Sequence, residues 1–196
     1  YTNLGSNLVV DLTAGTARTS DNSITQTLAN IENVTTGSGD DSLTGNTASN
    51  VLIAGSGDDV LKSGDTTTLA SDTLDGGLGN DTADYSGLTQ NITLNMIASG
   101  DQNGTLIIGA STDTLLGIEN VKTGNGADQL TGDNQANKLF GSGGNDTLSG
   151  GLGADTLDGE GDNDTVSYTA SSLGVSVDLA SGVATDGQGS IDSLVS

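Results

Sequence analysis

The chain has 196 residues, including 31 glycines and no Pro, Cys, His or Trp, and it carries 26 acidic residues against four basic ones. Without His or Cys there is no HExxH zinc site, no Ser-His-Asp triad and no thiol nucleophile. Four Lys and Arg residues are too few to hold a nucleic-acid backbone, so nucleic-acid binding is excluded.

The hydrophobic fraction of 32% and the net charge of −22 leave too little apolar surface to offset the loss of chain entropy on folding. No Cys is present for disulfide bonds, and no apolar run approaches the roughly 20 residues that span a bilayer. Bound cations are therefore the remaining candidate for what stabilises the fold.

A long repeat divides the chain into units. The first repeated segment, Val9-Val10-Asp11-Leu12, recurs near Ile92 and again near Val175. The second, Ile31-Glu32-Asn33-Val34, recurs at Ile118. We expect units at 1–84 and 85–167 and the start of a third at 168–196, cut from a tandem array, each opened by a tyrosine: Tyr1, Tyr85 and Tyr168.

A nine-residue repeat of the form GGxGxDxLx fills the second half of each full unit, and its clearest copies are Gly141–Ser149 and Gly150–Asp158. Five copies lie in residues 36–84, the fourth enlarged around 66–69, and five lie in 123–167. The eighth position is apolar throughout: Leu43, Leu52, Leu61, Leu74, Ala83, Leu130, Leu139, Leu148, Leu157 and Val166.

One apolar residue in every nine, with one neighbour on either side, predicts a three-residue strand that points one side chain inward. Gly at positions two and four permits the positive φ that tight turns require. Two nonapeptides make one coil. Stacked coils predict an all-β fold, a right-handed parallel β-roll or β-solenoid of two parallel sheets around the apolar column.

The sixth position places Asp side chains in a ladder along one edge, about 4.8 Å apart. A divalent cation between neighbouring turns would relieve their repulsion, and calcium fits because it takes 6 to 8 carboxylate and carbonyl oxygens at about 2.3 to 2.6 Å. Magnesium demands a stricter octahedron, and zinc prefers His and Cys. The candidate ligands are Asp41, Asp59, Asp81, Asp128, Asp146 and Asp164, with the turn residues Gly37, Gly39, Gly55, Gly57, Gly77, Gly79, Gly124, Gly126 and Gly144.

These residues predict about two well-formed calcium sites per unit, formed by successive Asp turns. The opposite edge is weaker, because Asn50 and Asn137 replace Asp there and only Asp72 and Asp155 are acidic. We expect low calcium affinity or none on that edge, with stacked Asn side chains hydrogen-bonding along it.

The nonapeptides resemble those of the RTX, or hemolysin-type, calcium-binding family, and the segments around Ile31, Ile118 and 174–187 resemble linkers in long proteins of that kind. The resemblance implies folding triggered by external calcium, and export by type I secretion from a Gram-negative bacterium to the extracellular space or cell surface. Departures occur at Asn50, Asn137, Asp162 and the enlarged turn after Ser63.

Three functions remain open. The first is a calcium-dependent spacer or folding unit in a large secreted or surface protein, such as an adhesin or exoprotein. The second is an accessory carbohydrate-binding module, by resemblance to modules attached to alginate-modifying epimerases, although the four basic residues are widely scattered: Arg18, Lys62, Lys122 and Lys138. The oligomeric state is also open.

The third function is a catalytic solenoid, a polysaccharide lyase or hydrolase, for which only Glu32 and Glu119 offer an acid and a base. They stand at equivalent places in successive units, so we interpret them as turn or capping residues and expect no enzyme activity. We interpret the three tyrosines as packing residues between blocks.

Overall fold

The computed structural model describes residues 1, 5–64, 70–96, 103–186 and 188–195, and the enlarged turn at 66–69 falls outside them. Every regular element in these residues is a strand, which confirms the all-β prediction. The strands are β1 (Leu8–Asp11), β2 (Thr16–Thr19), β3 (Thr25–Thr27), β4 (Asn33–Thr35), β5 (Ser42–Thr44), β6 (Val51–Ser56), β7 (Val60–Lys62), β8 (Thr73–Leu78), β9 (Thr82–Asp84), β10 (Ile92–Asn95), β11 (Asn103–Ile108), β12 (Ser111–Leu116), β13 (Asn120–Lys122), β14 (Gln129–Thr131), β15 (Lys138–Phe140), β16 (Thr147–Ser149), β17 (Thr156–Asp158), β18 (Thr165–Val166), β19 (Ser176–Asp178), β20 (Val183–Thr185) and β21 (Ile191–Val195).

The nonapeptide strands pair in parallel, as the repeat predicts. Leu43 of β5 faces Leu61 of β7, and Leu130 of β14 faces Leu148 of β16, in each case two nonapeptides further along the chain. Successive nonapeptides alternate between a 12-stranded sheet and a nine-stranded sheet. The coil of two nonapeptides is therefore confirmed.

The eighth-position column forms the core between the two sheets. Every member is buried except Val166, which is partly buried and packs against the others. Each three-residue strand points only this side chain inward, so the core is one residue wide on each sheet. The buried members are Leu43, Leu52, Leu61, Leu74, Ala83, Leu130, Leu139, Leu148 and Leu157.

Antiparallel meanders interrupt the parallel ladders, so the two sheets are mixed and mainly parallel rather than parallel throughout. They comprise β1–β3, β10–β12 and β19–β21. Asp11 and Asp178 occupy corresponding places in the first and third, and each accepts the N–H of the residue two or three positions on, Ala14 at 2.8 Å and Ala180 at 2.9 Å. These Asp side chains close the chain into a hairpin.

The meanders alternate between the two sheets. β1 and β19 belong to the 12-stranded sheet, whereas β10 belongs to the nine-stranded sheet. The cause is an odd number of alternations, because the meander β1–β3 and the six strands β4 to β9 take seven successive places in alternate sheets. The next meander, β10–β12, therefore starts on the opposite sheet from β1.

Candidate metal centre

Position-six carboxylates of the first unit form a continuous hydrogen-bonded ladder. The backbone N–H of Asp41 donates to Asp59 Oδ1 at 2.6 Å, and that of Asp59 donates to Asp81 Oδ1 at 2.8 Å. The ladder begins at Leu8, whose N–H donates to Asp41 Oδ1, and it ends at Glu119, whose Oε2 accepts the N–H of Asp81 at 2.8 Å. The interpretation of Glu119 as a capping residue is thereby confirmed, whereas the Glu32 side chain is exposed.

The second unit repeats this arrangement. Ile92 N–H donates to Asp128 Oδ1 at 2.7 Å, Asp128 N–H to Asp146 Oδ1 at 2.8 Å, and Asp146 N–H to Asp164 Oδ1 at 3.0 Å. Asp164 is only partly buried, while Asp128 and Asp146 are each 1% exposed. We call these two sets, Asp41 to Asp81 and Asp128 to Asp164, the Asp-rich ladders.

The other oxygen of each ladder carboxylate is the feature that points to a ligand. Oδ2 of five Asp-rich ladder residues is buried and has no hydrogen-bond partner among the described residues, namely that of Asp41, Asp59, Asp81, Asp128 and Asp146. A buried carboxylate oxygen without a partner is strongly disfavoured, and a bound cation is one way to satisfy it.

The protonation behaviour of the ladder follows from its burial. Burial, followed by repulsion from neighbouring acidic groups, raises the pKa of Asp59, Asp81 and Asp146 to about 6. Burial likewise raises the pKa of Asp41 and Asp128 above the usual range. In the absence of a cation these carboxyl groups therefore resist ionisation more than ordinary Asp residues do.

The two Asp-rich ladders lie on opposite edges, so the prediction that they share one edge is wrong. Asp41, Asp59 and Asp81 stand in turns that lead from the nine-stranded into the 12-stranded sheet, whereas Asp128 and Asp146 stand in turns that lead back. The reason is again the odd number of alternations in a unit. Each edge thus carries the Asp-rich ladder of one unit and the weaker turns of the other.

The weaker turns begin with asparagine. Asn50 N–H donates to Asp72 Oδ1 at 2.7 Å, and Asn137 N–H donates to Asp155 Oδ1 at 2.9 Å, so the ladder geometry persists. The Asn side chains do not stack on one another as predicted. Each amide Nδ2 donates instead to the backbone carbonyl of the preceding glutamate, Asn50 to Glu32 at 2.7 Å and Asn137 to Glu119 at 3.0 Å.

Two further aspartates continue these turns, and the nonapeptide frame did not include them. Asp72 N–H donates to Asp113 Oδ1 at 2.9 Å, and Asp155 N–H donates to Asp192 Oδ1 at 3.0 Å. The sequence held a signal, because both begin an Asp-x-Leu triplet like Asp155-Thr156-Leu157. We call Asn50, Asp72 and Asp113, and likewise Asn137, Asp155 and Asp192, the Asn-led ladders. Burial, followed by the charges of Asp192 and other acids, raises the pKa of Asp155 to about 6.

Glycine recurs at positions one, two and four of a turn, but not in every copy, since Thr36, Ala54 and Thr123 hold position one. At position one, a Cβ on Gly141 or Gly150 would collide with the carboxylate of Asp146 or Asp155 in the same turn. At positions two and four the glycines lie against a backbone carbonyl one coil away: Gly55 on Gly37, Gly57 on Gly39, Gly77 on Gly55, Gly79 on Gly57, and Gly144 on Gly126.

Positive φ is not the reason for every predicted glycine. Gly57 and Gly79 have φ of +135° and +147°, as expected for turns that only glycine adopts easily. Among the described residues, Gly37, Gly124 and Gly126 do not have positive φ. A Cβ on Gly124 or Gly126 would instead meet the carbonyls of Leu88 and Gln90, which lie just before β10.

The donor set suits a hard cation. In the described part of the chain no three acidic side chains come together in a metal-binding arrangement. A site between two turns would therefore combine two carboxylates with turn carbonyls, such as that of Gly37, which already accepts Ser56 N–H at 2.9 Å and keeps a second lone pair. All-oxygen donors of this kind match calcium rather than zinc.

The basic side chains are less scattered than predicted, because Lys62, Lys122 and Lys138 all lie on the 12-stranded sheet. Lys62 Nζ lies 2.7 Å from Asp84 Oδ2, and Lys122 Nζ lies 2.9 Å from Glu160 Oε1. Two of the three charges are thus already paired with acids. A polyanionic sugar would have to compete with these partners.

An all-β stack of coils, each made of two nine-residue repeats and with buried, partly unsatisfied carboxylates in its turns, defines a metal-binding repeat protein. The model of the RTX calcium-binding nonapeptide repeat matches in four copies, at residues 32–65, 68–84, 113–148 and 131–166. These matches cover more than half of the residues, so the chain belongs to the RTX calcium-binding nonapeptide repeat family. That family is a structural calcium-binding module rather than a catalytic one.

A comparison with curated proteins finds no match. The third copy of the family match begins at Asp113, the residue that continues the first Asn-led ladder. Within the described residues no helix is long and apolar enough to cross a membrane.

Proposed function

We propose that the chain is a structural module that folds when it binds calcium outside the cell, and that it serves as a rigid spacer or folding unit in a large secreted or surface protein. The observation that carries the proposal is the row of buried, unpartnered Oδ2 atoms along the Asp-rich ladders, such as those of Asp59 and Asp146. The family is typical of secreted proteins, which supports an extracellular location.

The proposed calcium sites lie between hydrogen-bonded Asp turns. They number four, between Asp41 and Asp59, Asp59 and Asp81, Asp128 and Asp146, and Asp146 and Asp164. The Gly residues predicted as carbonyl donors stand in these same turns or the ones beside them. The Asn-led ladders hold weaker secondary sites at Asp72 and Asp155, since an amide oxygen replaces one carboxylate.

Linkage makes the metal part of the folding free energy. The ligands come from turns that meet only in the folded coil stack, so calcium binds the folded state alone. An ion present at tenfold its dissociation constant adds roughly 1.4 kcal/mol of stability. Several ions on adjacent coils would together fold a chain whose composition supplies little apolar surface.

The proposed spacer is a right-handed solenoid with units at 1–84 and 85–167 and a third unit that starts at 168. The corresponding residues of the three units support this division. Val10 and Leu94 are 0% and 1% exposed, because β1 and β10 pair with the nonapeptide strands β5 and β14. Val177 on β19 is 47% exposed, and a further nonapeptide strand beside β19 would bury it in the same way.

Far-UV circular dichroism during a calcium titration tests the proposal. The chain is first held in chelator, and the titration is repeated with magnesium as the control. We expect a cooperative gain of β signal with calcium alone. A chain that is already folded in chelator, or that ignores calcium, would mean that the carboxylate ladders are ordinary solvated turns and that the proposed function is wrong.

A further inference from the structure

The last carboxylate of each Asn-led ladder differs from all the others in what its second oxygen contacts. Asp113 and Asp192 are 1% and 2% exposed, and each keeps the ladder bond from Oδ1 to the N–H of the preceding turn. Their Oδ2 atoms, however, accept the hydroxyls of tyrosines, Tyr85 at 2.7 Å and Tyr168 at 2.8 Å. In the buried members of the Asp-rich ladders, and in Asp155, the corresponding atom has no hydrogen-bond partner among the described residues.

The same contact occurs a third time with a neutral acceptor. Tyr1 holds the place of Tyr85 and Tyr168 in the long repeat, and its hydroxyl donates to Gln26 Oε1 at 2.6 Å. Gln26 stands in β3 as Asp113 stands in β12, and each is followed by Thr-Leu. Because glutamine carries no charge, the tyrosine hydrogen bond at Gln26 forms where there is no carboxylate for a cation to bind.

The backbone around Asp113 and Asp192 also lacks the features of a nonapeptide turn. Both residues lie inside strands, β12 and β21, that are reached through antiparallel hairpins rather than through turns that cross between sheets. Backbone carbonyls in such strands are engaged in the sheet. Within β12 and β21 the backbone therefore pairs with neighbouring strands and does not itself form a Gly-rich turn around a cation.

We propose that the Tyr85 and Tyr168 hydroxyls take the place of a calcium ion at Asp113 and Asp192, so that the joint between units is closed without metal. The hydroxyl donates a hydrogen bond to the buried carboxylate oxygen, which a cation would otherwise satisfy by coordination. The tyrosines thus contact the last carboxylate of each Asn-led ladder. This inference rests on the proposed function, because it presumes that the other ladder carboxylates bind calcium.

Calcium counting separates the two kinds of carboxylate. Asp113→Asn and the matched variant Asp59→Asn each keep the backbone N–H acceptor and remove one charge. After dialysis against calcium, bound metal is measured by atomic emission for wild type and both variants. We expect Asp113→Asn to bind as many calcium ions as the wild type. We expect Asp59→Asn to lose the two ions that Asp59 shares with Asp41 and with Asp81. Loss of calcium from Asp113→Asn would overturn the proposal.

The hydroxyl itself is tested by Tyr85→Phe, with Tyr1→Phe as the control on the neutral, more exposed Gln26 contact. We expect Tyr85→Phe to keep the calcium count and to lower the Tm in saturating calcium by several degrees, and Tyr1→Phe to change it little. An unchanged Tm for Tyr85→Phe would contradict the proposal. If Asp59→Asn also kept all its calcium, the proposed function would fail, while the Tm of Tyr85→Phe would still decide the role of the hydroxyl.

Discussion

The Asp-rich and Asn-led ladders share one backbone geometry and differ in what satisfies their side chains. In both, a position-six oxygen accepts the N–H of the preceding turn, at 2.8 Å for Asp146 and 2.9 Å for Asp155. The Asn-led ladder starts with an amide that donates to a glutamate carbonyl and ends with a carboxylate held by a tyrosine. Partners within the chain therefore satisfy the two ends of this Asn-led ladder, whereas Oδ2 of its middle residue, Asp155, is buried without a hydrogen-bond partner among the described residues, as in the Asp-rich ladders.

The difference also prevents charge from accumulating along one edge. The first Asp-rich ladder ends at Glu119, and the next turn on that edge presents Asn137, whose amide donates to the Glu119 carbonyl. Because the units alternate edges, the second Asp-rich ladder, at Asp128 to Asp164, lies on the other side of the stack. Each row of repelling carboxylates thus stays short, which suits a chain of net charge −22.

The largest expected effect comes from the middle of an Asp-rich ladder. Asp146→Ala removes a carboxylate that stands between the Asp128 and Asp164 turns, so it should disrupt both sites of the second unit. Asp128 stands at the end of the ladder, so Asp128→Ala should disrupt one calcium site. Isothermal titration calorimetry would read the difference in bound calcium. Equal losses, or equal shifts of the calcium midpoint, would refute the shared-turn arrangement.

A second test concerns the position-four glycine. In Gly144→Ala the new Cβ would collide with the backbone carbonyl of Gly126 one coil away, and residue 144 has a φ of +109°, so we expect weaker calcium binding and a loss of about 1 to 3 kcal/mol in the free energy of unfolding. Gly87→Ala is the control, because no atom lies within 4 Å of the position of its Cβ. Denaturant titrations in calcium would compare them, and equal stabilities would show that the close contact is unimportant.

Acid should partly replace calcium. The pKa of Asp59, Asp81 and Asp146 is about 6 in the folded chain, against about 3.9 for unfolded Asp. A raised folded pKa means that the folded state binds the proton more tightly, so stability is greatest below about pH 4 and is lost as pH rises through about 6. In chelator, we therefore expect β signal to increase from pH 7 to pH 5, and in calcium, apparent affinity to fall over that range. Loss of structure on acidification in chelator would contradict this prediction.

The smallest effect should come from converting an Asn-led ladder towards an Asp-rich one. Asn137→Asp supplies a second carboxylate beside Asp155 and removes the amide donor to the Glu119 carbonyl. We expect the variant to be less stable in chelator and to bind calcium more tightly near Asp155. Asn137→Ser, which adds no charge, is the control. A variant that lost stability in chelator without gaining calcium affinity would show that the turn itself, and not the amide, limits the site.

The sequence predicts the parts of this structure that depend on local period. The position-eight column, the alternation of sheets within a block and the stacking of Asp59 on Asp41 all follow from a nine-residue repeat. The two Asp-rich ladders lie on opposite edges because five nonapeptides, an odd number, separate the start of one ladder from the next meander. The number five can be read from the sequence, but its effect on the edges appears only when two nonapeptides form each coil.

Contacts between distant segments were beyond such reasoning. Tyr85 meets Asp113 across 28 residues, and Glu119 caps Asp81 across 38. These pairings depend on how the β10–β12 meander folds back onto β8, and no repeat spacing encodes that path. The close contact between Gly141 and the Asp146 carboxylate was also not predicted, because it comes from the fold of the Asp side chain over its own turn and not from backbone φ.

A crystal structure grown in calcium, with anomalous difference maps, tests the central claim most directly. We expect the strongest peaks between the hydrogen-bonded Asp turns of both Asp-rich ladders. Weaker peaks at most should lie between Asn50 and Asp72 or between Asn137 and Asp155. We expect no peak between Asp72 and Asp113 or between Asp155 and Asp192. Ions beside Tyr85 or Tyr168, or Asp-rich ladders without ions at saturating calcium, would contradict the central claim.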